Sequence, residues 1–503
     1  MSIGLLSLLV FSPLLGIIVL AFMQKTNEKA IKTVGFLATL VPLLLSFIAY
    51  SKFDFNNKSI QLAEKVDWIS FNLSGDFPFV VNYELGLTGL SLVLILLTTV
   101  VATLAAVASI YIKSEWKGFF MLFLLLELGM LGVFAAQNTV LFFIFFEITL
   151  IPTFFLVGKW GYEERVRAAY NFLLYNGFGS AILLIVFALL FAKTGTANIE
   201  ELKTIMAADQ NALSTIGITP EFKMGILIAL LVAFGVKLPI FPLHTWMLRV
   251  HAQAPIATVM IHSGILLKIG AYGLITFGFN LFPAEFERLA VLIAVLGVIN
   301  LLYGAFLALI QKDFKMVLAY SSISHMGVVL IGLGAMNVEG VQGAIFQVIS
   351  HGLISALLFF IVGIMYERTG TTTIDALGGL AKVMPLASGF FLAGAMASLG
   401  LPGMSGFVSE FMAFLGLFKS MPVVAAVGCL GIILTAAYLL RAVLNITFGP
   451  TSTRFTGVKD ISSVEYLPVV VLLAFIILIG VYPNVLTSAI AVTIETITVG
   501  IGG

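Results

Sequence analysis

The sequence predicts an all-α, polytopic membrane protein with about fourteen transmembrane helices. Three observations carry that expectation. Of 503 residues, 60% are hydrophobic and only 10% are charged, against about 25% charged in soluble domains. The apolar residues fall in runs of about 20, long enough to cross a bilayer. The lysines and arginines collect in the gaps between runs, and mostly in alternate gaps.

The runs follow one another in a regular order. Residues 3–22 lack a basic start and a small-residue cleavage site, so they read as a retained helix rather than a signal peptide. Residues 31–50 follow the cluster Lys25, Lys29 and Lys32. A polar stretch, 51–82, precedes the run 83–110. Then come 119–134, 137–157 and 168–192. A second polar stretch, 194–223, leads into 224–247, where Pro239 and Pro242 are expected to break the helix. The runs 256–279, 289–310, 317–334 and 342–365 follow. Residues 386–418 are interrupted at Pro402, and 422–446 and 467–490 complete the set. Nothing in the composition divides the chain, so 1–503 reads as one integral membrane domain. An even number of crossings puts both termini on one side. Of 26 lysines and arginines, most lie on the opposite side, so the positive-inside rule puts the termini outside the cytoplasm. The polar stretches 51–82 and 194–223 are then outer loops.

Formal net charge is +1, which gives no basis for nucleic-acid binding. The single cysteine, Cys429, makes neither an intrachain disulfide nor a Cys-ligated iron–sulfur cluster by itself. No Gly-rich dinucleotide fingerprint follows a strand. Redox chemistry, if coupled to this chain, belongs to other chains.

Away from the ends of the runs, where Lys32, Glu84 and Arg441 lie, five acidic or basic residues fall inside them: Lys237, Lys268, Glu127, Glu147 and Glu410. A charge at mid-bilayer costs about 2.5–3.5 kcal/mol on insertion scales and marks an ion path by default. Lys237 directly precedes Leu238-Pro239, and a titratable amine at a helix break suits ion movement. All five histidines, His244, His251, His262, His325 and His351, also lie on or at the edge of runs. Imidazole passes protons near neutral pH. Taken singly, each is equally well explained as interhelical glue, worth about 0.6 kcal/mol per bond. Helical phase groups them: Gln347, His351 and Ser355 share a face, as do Thr258 and His262, and Lys268 and Tyr272. Ser321, Ser324 and His325 gather on another, and Ser405 and Ser409 run beside Glu410. Five spans each carrying a titratable group favour a conduction path. Static salt bridges among Lys237, Lys268 and Glu147 are the competing explanation.

The stretch Phe234-Gly235-Val236-Lys237-Leu238-Pro239 is echoed by Ala397-Ser398-Leu399-Gly400-Leu401-Pro402. Interrupted helices at corresponding places in two halves point to an inverted-repeat transporter. The halves would be 119–279 and 289–446, five helices each with breaks in helices 7 and 12. Residues 1–110 and 447–503 would be peripheral.

Several motifs carry a family resemblance. They are Phe-Glu-Ile-Thr-Leu-Ile-Pro at 146–152, the Lys237 helix with His244-Thr245-Trp246, and Ala254-Pro255 followed by Gly264-Ile265-Leu266-Leu267-Lys268. Further on are Ala319-Tyr320-Ser321-Ser322-Ile323-Ser324-His325-Met326-Gly327, then His351-Gly352-Leu353 through Tyr366-Glu367-Arg368-Thr369, and Leu399-Gly400-Leu401-Pro402-Gly403 to Glu410. With these, residues 80–450 resemble the antiporter-like membrane subunits of respiratory complex I, most closely the M-type subunits of bacterial NADH–quinone oxidoreductases.

The resemblance implies a proton-translocating subunit without a redox cofactor of its own. FMN, iron–sulfur clusters and quinone are then expected in partner subunits. It implies that Glu147 and Lys237 form a proton-loading pair, that Lys268 is the central relay, and that Glu410 stands on the outlet side. His325 and His351 match linking histidines, and His244 joins the proton-transfer set. Partners would be other membrane-arm subunits, including sister antiporter-like subunits, with lipid around them, in a bacterial inner membrane. Glutamate at position 410 is typical of M-type subunits. Lysine there is typical of the sister subunits and of Mrp-type cation–proton antiporters. An Mrp-type antiporter subunit and a structural scaffold without its own proton path remain the alternatives. The chain departs from the family at Trp246-Met247-Leu248-Arg249-Val250-His251, where Trp-Leu-Pro-Asp-Ala-His is usual. It departs again at Thr88, where an acid is usual, and His262 is not a family position.

Overall fold

The computed structural model describes residues 4–72, 78–451, 453–455 and 457–498. Residues 1–3 and 499–503, counted above in the terminal segments, lie outside these. Among the described residues, twelve helices are long and apolar enough to cross a membrane. Most coincide with the expected runs, from Leu5–Phe22 and Glu28–Lys52 to Pro422–Thr447 and Ser463–Val481. Their outward faces carry exposed apolar side chains such as Leu15, Leu44, Leu174 and Ile433, as a lipid-facing surface requires. The inner helices Val338–Thr369 and Ile256–Phe279 are enclosed by the others.

The structure corrects the expectation in three places. The stretch 51–82 is not simply a loop: Gln61–Asn72 and Pro78–Leu87 form an antiparallel hairpin. Alternation of apolar and polar residues in each arm is a period-2 signal. The helix expected from residue 83 therefore begins at Gly89. Thr88, one of the family departures, is its N-cap: Thr88 Oγ1 accepts from Ser91 N at 3.2 Å and Ser91 Oγ accepts from Thr88 N at 2.8 Å. The run 467–490 is two helices, Ser463–Val481 and Asn484–Thr498. Pro483 disfavours a helical conformation at the preceding Tyr482, which sits at φ −128°, ψ 72°.

The third correction concerns phase. Residues 256–279 form one continuous helix, but His262–Leu266 and Leu274–Phe279 are π-helical. Each π-bulge rotates the side chains that follow it. Thr258 precedes the first of these turns and keeps regular helical spacing to His262, whose N–H donates to Thr258 O. Yet Thr258 Oγ1 has no hydrogen-bond partner and the expected Thr258–His262 side-chain pairing is absent.

The two interrupted helices are present. Pro220–Lys237 ends at the lysine and Thr245–Gln253 resumes the path. Pro385–Ser398 ends before Leu399, and Ser405–Ser420 resumes. Irregular backbone at this depth is tolerated only where protein satisfies it. Asn300 does so at the first break: its Oδ1 accepts from Phe241 N at 2.7 Å and its Nδ2 donates to Pro239 O at 3.2 Å. Trp246 Nε1 donates to Val236 O at 3.0 Å.

The loops sort into two ends. At one, Glu84 of the hairpin pairs with Lys65 at 2.6 Å and accepts from Asn198 Nδ2 at 2.8 Å. The hydrogen bond from Lys65 to Glu84 raises the pKa of Lys65 above the usual lysine value. At the other end, Arg368 Nη2 donates to both oxygens of buried Glu465, at 2.7 and 2.8 Å, and Tyr111 also donates to Glu465. Removing one partner of such a buried pair costs about 3–5 kcal/mol. Arg368→Met is therefore expected to lower the yield and thermal resistance of the assembled protein without touching the polar axis. Inactivation half-life at elevated temperature measures this, and an unchanged half-life would show the pair to be dispensable.

Candidate functional site

Lys237 is the last residue of its helix, buried, and its Nζ has no hydrogen-bond partner. The ammonium faces the rings of Phe146 at 4.8 Å and Phe172 at 5.8 Å. Such contacts return about 2 kcal/mol when desolvated, less than the several kcal/mol that burying an ion costs. Gly270 lets the Lys268 helix press against this helix end: a Cβ there would lie 2.6 Å from Leu238 N.

Glu147 comes from the helix Thr139–Trp160 and is half-buried. Its carboxylate accepts from Ser180 Oγ. It acts on Lys237 electrostatically, but no ion pair joins the two within 4.0 Å. Lys268 makes none either. Static salt bridges between these groups are thus not what the structure holds. His244 lies in the break, with Nε2 at 3.2 Å from Tyr303 Oη and Nδ1 without a partner.

The second half of the set is contiguous. Lys268 is fully buried. Its Nζ donates to Ser263 O at 2.6 Å, a carbonyl of the π-helical turn, and lies 2.6 Å from His351 Nδ1. The His351 and His325 ring centroids are 5.5 Å apart. His325 Nδ1 is 3.5 Å from Glu410 Oε1, an ion-pair distance, and its Nε2 is 3.1 Å from Ser398 Oγ at the end of the other broken helix. Gly400, at φ +80°, leaves room for this carboxylate: a Cβ there would sit 2.8 Å from Glu410 Oε2.

Between the two imidazoles lies a cavity of about 10 Å³, lined by Ser321, Ser322, Ser355 and Ser398 as well as His325 and His351. That is close to the volume one water needs, and the lining offers several polar partners. The expected shared faces therefore divide between cavity lining and contacts that join helices. Ser321 and Ser355 line the cavity. Ser324 instead donates to Leu301 O at 2.9 Å, and Ser409 to Gln347 Oε1 at 2.5 Å.

Two features escaped sequence reasoning. His251 Nε2 and His262 Nδ1 are hydrogen-bonded at 2.9 Å, both rings buried. No helical phase links them, because the Ala254-Pro255 turn separates their helices. The second is a polar vestibule of about 720 Å³ at the Arg249 end, lined among others by Glu163, Arg249, Asp313 and Lys315. Lys315 Nζ lies between the rings of Tyr162 and Tyr366, at 3.7 and 4.4 Å. Arg249, the charge reversal against the family pattern, thus faces this vestibule. Glu127 is buried with neither carboxyl oxygen hydrogen-bonded.

The family described as NADH:quinone oxidoreductase/Mrp antiporter, TM, matches residues 136–435, the stretch holding every group of the axis. The chain belongs to this family. Among complex I relatives, it is 36% identical over 494 residues to NADH-quinone oxidoreductase subunit M of Rhodobacter capsulatus, covering 97% of this chain and 95% of that one. It is 37% identical over 504 residues to NAD(P)H-quinone oxidoreductase chain 4 of Prochlorococcus marinus strain MIT 9515, with 98% and 90% covered. A chain of respiratory complex I from Thermus thermophilus with bound NADH superposes with a TM-score of 0.85 at 29% identity, covering 99% of this chain and all of that one. The resemblance to antiporter-like complex I subunits thus extends beyond residues 80–450 to nearly the whole chain.

Proposed function

We propose that this chain is a non-redox, proton-translocating membrane subunit of an NADH–quinone oxidoreductase. Quinone reduction in partner subunits, which hold the FMN, iron–sulfur clusters and quinone, drives it. Two inverted halves, 119–279 and 289–446, with fourteen crossings in all, sit in a bacterial inner membrane with both termini outside the cytoplasm. Sister antiporter-like subunits flank it in the membrane arm.

The observation that carries this reading is the series Lys268, His351, His325, Glu410: the first pair 2.6 Å apart, the two imidazole centroids 5.5 Å apart across a water-sized cavity, and His325 Nδ1 3.5 Å from Glu410 Oε1. Each member exchanges protons and none is locked by a second strong partner of opposite charge, apart from His325 with Glu410. Lys237 and Glu147 stand at the other end as the loading pair, with His244 in the break beside them. The electrostatic signal from quinone reduction alters how strongly Glu147 holds a proton on Lys237. Lys237 then releases that proton toward Lys268 and on to Glu410 and the outside. Moving each charge against 100 mV costs about 2.3 kcal/mol, so the driver must lie outside this chain.

Glu410 favours this reading over an Mrp-type antiporter, where lysine is the expected residue. The scaffold alternative conflicts with the unpartnered Lys237 ammonium, since a scaffold gains nothing from an orphaned buried amine. Glu147→Gln keeps a hydrogen bond to Ser180 but removes the charge that acts on Lys237. In the complex reconstituted into liposomes, it is expected to lower proton translocation several-fold with assembly intact. Unchanged pumping would favour the scaffold, and redox-independent sodium–proton exchange would favour the antiporter.

A further inference from the structure

We propose that the His251–His262 pair is the proton bridge between Lys237 and the Lys268–His351 centre; this rests on the reading of the axis given above. Without it the axis has a gap. Lys237 Nζ has no hydrogen-bond partner, whereas Lys268 already spends two contacts on Ser263 O and His351. Something must take a proton from the first lysine and present it to the second.

The pair stands in that gap. The His262 ring packs on Phe172, at 6.0 Å between centroids, and Phe172 is one of the two rings beneath the Lys237 ammonium. His262 lies within electrostatic reach of both Lys237 and Lys268. His251 lies within reach of Lys268 and of His351. Its ring packs on Phe359 at 5.1 Å, and Phe359 lines the cavity that His351 and His325 share. The two imidazoles meet at 2.9 Å through His251 Nε2 and His262 Nδ1. Their outer nitrogens, His262 Nε2 and His251 Nδ1, are buried and have no hydrogen-bond partner. A merely structural histidine pair would be expected to engage those atoms, because an unsatisfied buried polar group costs about 1–3 kcal/mol. A carrier needs them free.

The transfer balances with one proton in and one out. In the starting tautomers, His262 Nδ1–H donates to His251 Nε2, and His251 Nδ1 carries the second proton. A proton from Lys237 binds His262 Nε2. The Nδ1 proton crosses the 2.9 Å bond to His251 Nε2, and the His251 Nδ1 proton leaves toward Lys268. Only N–H bonds form and break. Each transit inverts both tautomers, so the rings must reset before the next, which limits the pair to one proton per cycle.

His262→Gln tests this, because glutamine can still donate to His251 Nε2 but cannot accept and pass on a proton. In the whole complex reconstituted into liposomes, the expected result is a loss of pumping rate of at least about tenfold, in the range of lost acid–base assistance, with an enlarged solvent deuterium isotope effect. His251→Gln should match it, and the double variant should be no slower than either. His251→Gln also serves where His262→Gln does not assemble. Wild-type rate and isotope effect in an assembled His262→Gln complex, with Lys237→Met inactive in the same assay, would overturn the bridge and leave the axis standing. Normal pumping by Lys237→Met would instead overturn the axis itself.

Discussion

Lys237→Met is expected to abolish coupled proton translocation while leaving the subunit folded and the complex assembled. The stability half of this result follows from geometry. The Lys237 ammonium is buried, unpaired and held only over two phenylalanine rings. Methionine keeps the length and flexibility of the stem, makes favourable contacts with aromatic rings, and removes a desolvation cost of several kcal/mol. Thermal resistance of the complex should therefore stay level or rise. The activity half follows from position. Among the described residues, Lys237 is the only amine at the break between Pro220–Lys237 and Thr245–Gln253, and the only cation facing Phe146 and Phe172. Coupled quinone reduction should fall at least about tenfold, equivalent to 1.4 kcal/mol or more on the barrier. Lys237→Arg separates two meanings of that loss. Arginine keeps the charge and the ring contacts but is not deprotonated in proteins. If the lysine carries the proton, arginine is as inactive as methionine. Restoration of pumping by arginine would make Lys237 a fixed charge instead. Full activity in the methionine variant would remove it from the path.

The broad architecture was legible because bilayer physics leaves little choice. Apolar runs of span length must be helices, and proline in them must break or kink them. Hence Pro239 and Pro402 correctly mark both interruptions. The ionisable residues were legible for the same reason: lysines and carboxylates in such runs stand out by cost alone. What the sequence hid lies where period or register changes. The hairpin at 61–87 straddled the stretch 51–82, read only as polar, and the first residues of the run 83–110, read as helix. The π-turns at 262–266 and 274–279 shift the side chains that follow them off the regular helical face. His251 and His262 meet across a turn, where neither i+3 nor i+4 spacing applies. The Glu147–Lys237 pair, expected as partners, acts at a distance, with Ser180 taking the carboxylate.

Lys268→Met should also stop translocation, but with the opposite effect on stability, and the contrast tests the geometry at both lysines. Lys268 Nζ satisfies two buried groups, the Ser263 carbonyl and His351 Nδ1. Methionine would leave both unsatisfied, at about 1–3 kcal/mol each, which offsets the relief of desolvation that the same change brings at Lys237. Removing an orphaned cation and removing a hydrogen-bonded one thus pull in different directions. The assembled Lys268→Met complex should inactivate faster on heating than wild type, while Lys237→Met should not. The His351–His325 contact should loosen as well, because Lys268 holds the first of those rings. Glu410 would then lose its supply, since His325 is the imidazole at 3.5 Å from its carboxylate. The functional defect should accordingly not be rescued by conservative change at Glu410, because the break lies upstream of it. Equal thermal behaviour of the two variants would mean that the Ser263 and His351 contacts do not hold Lys268 in place. Retained pumping in Lys268→Met would move the central relay to another group.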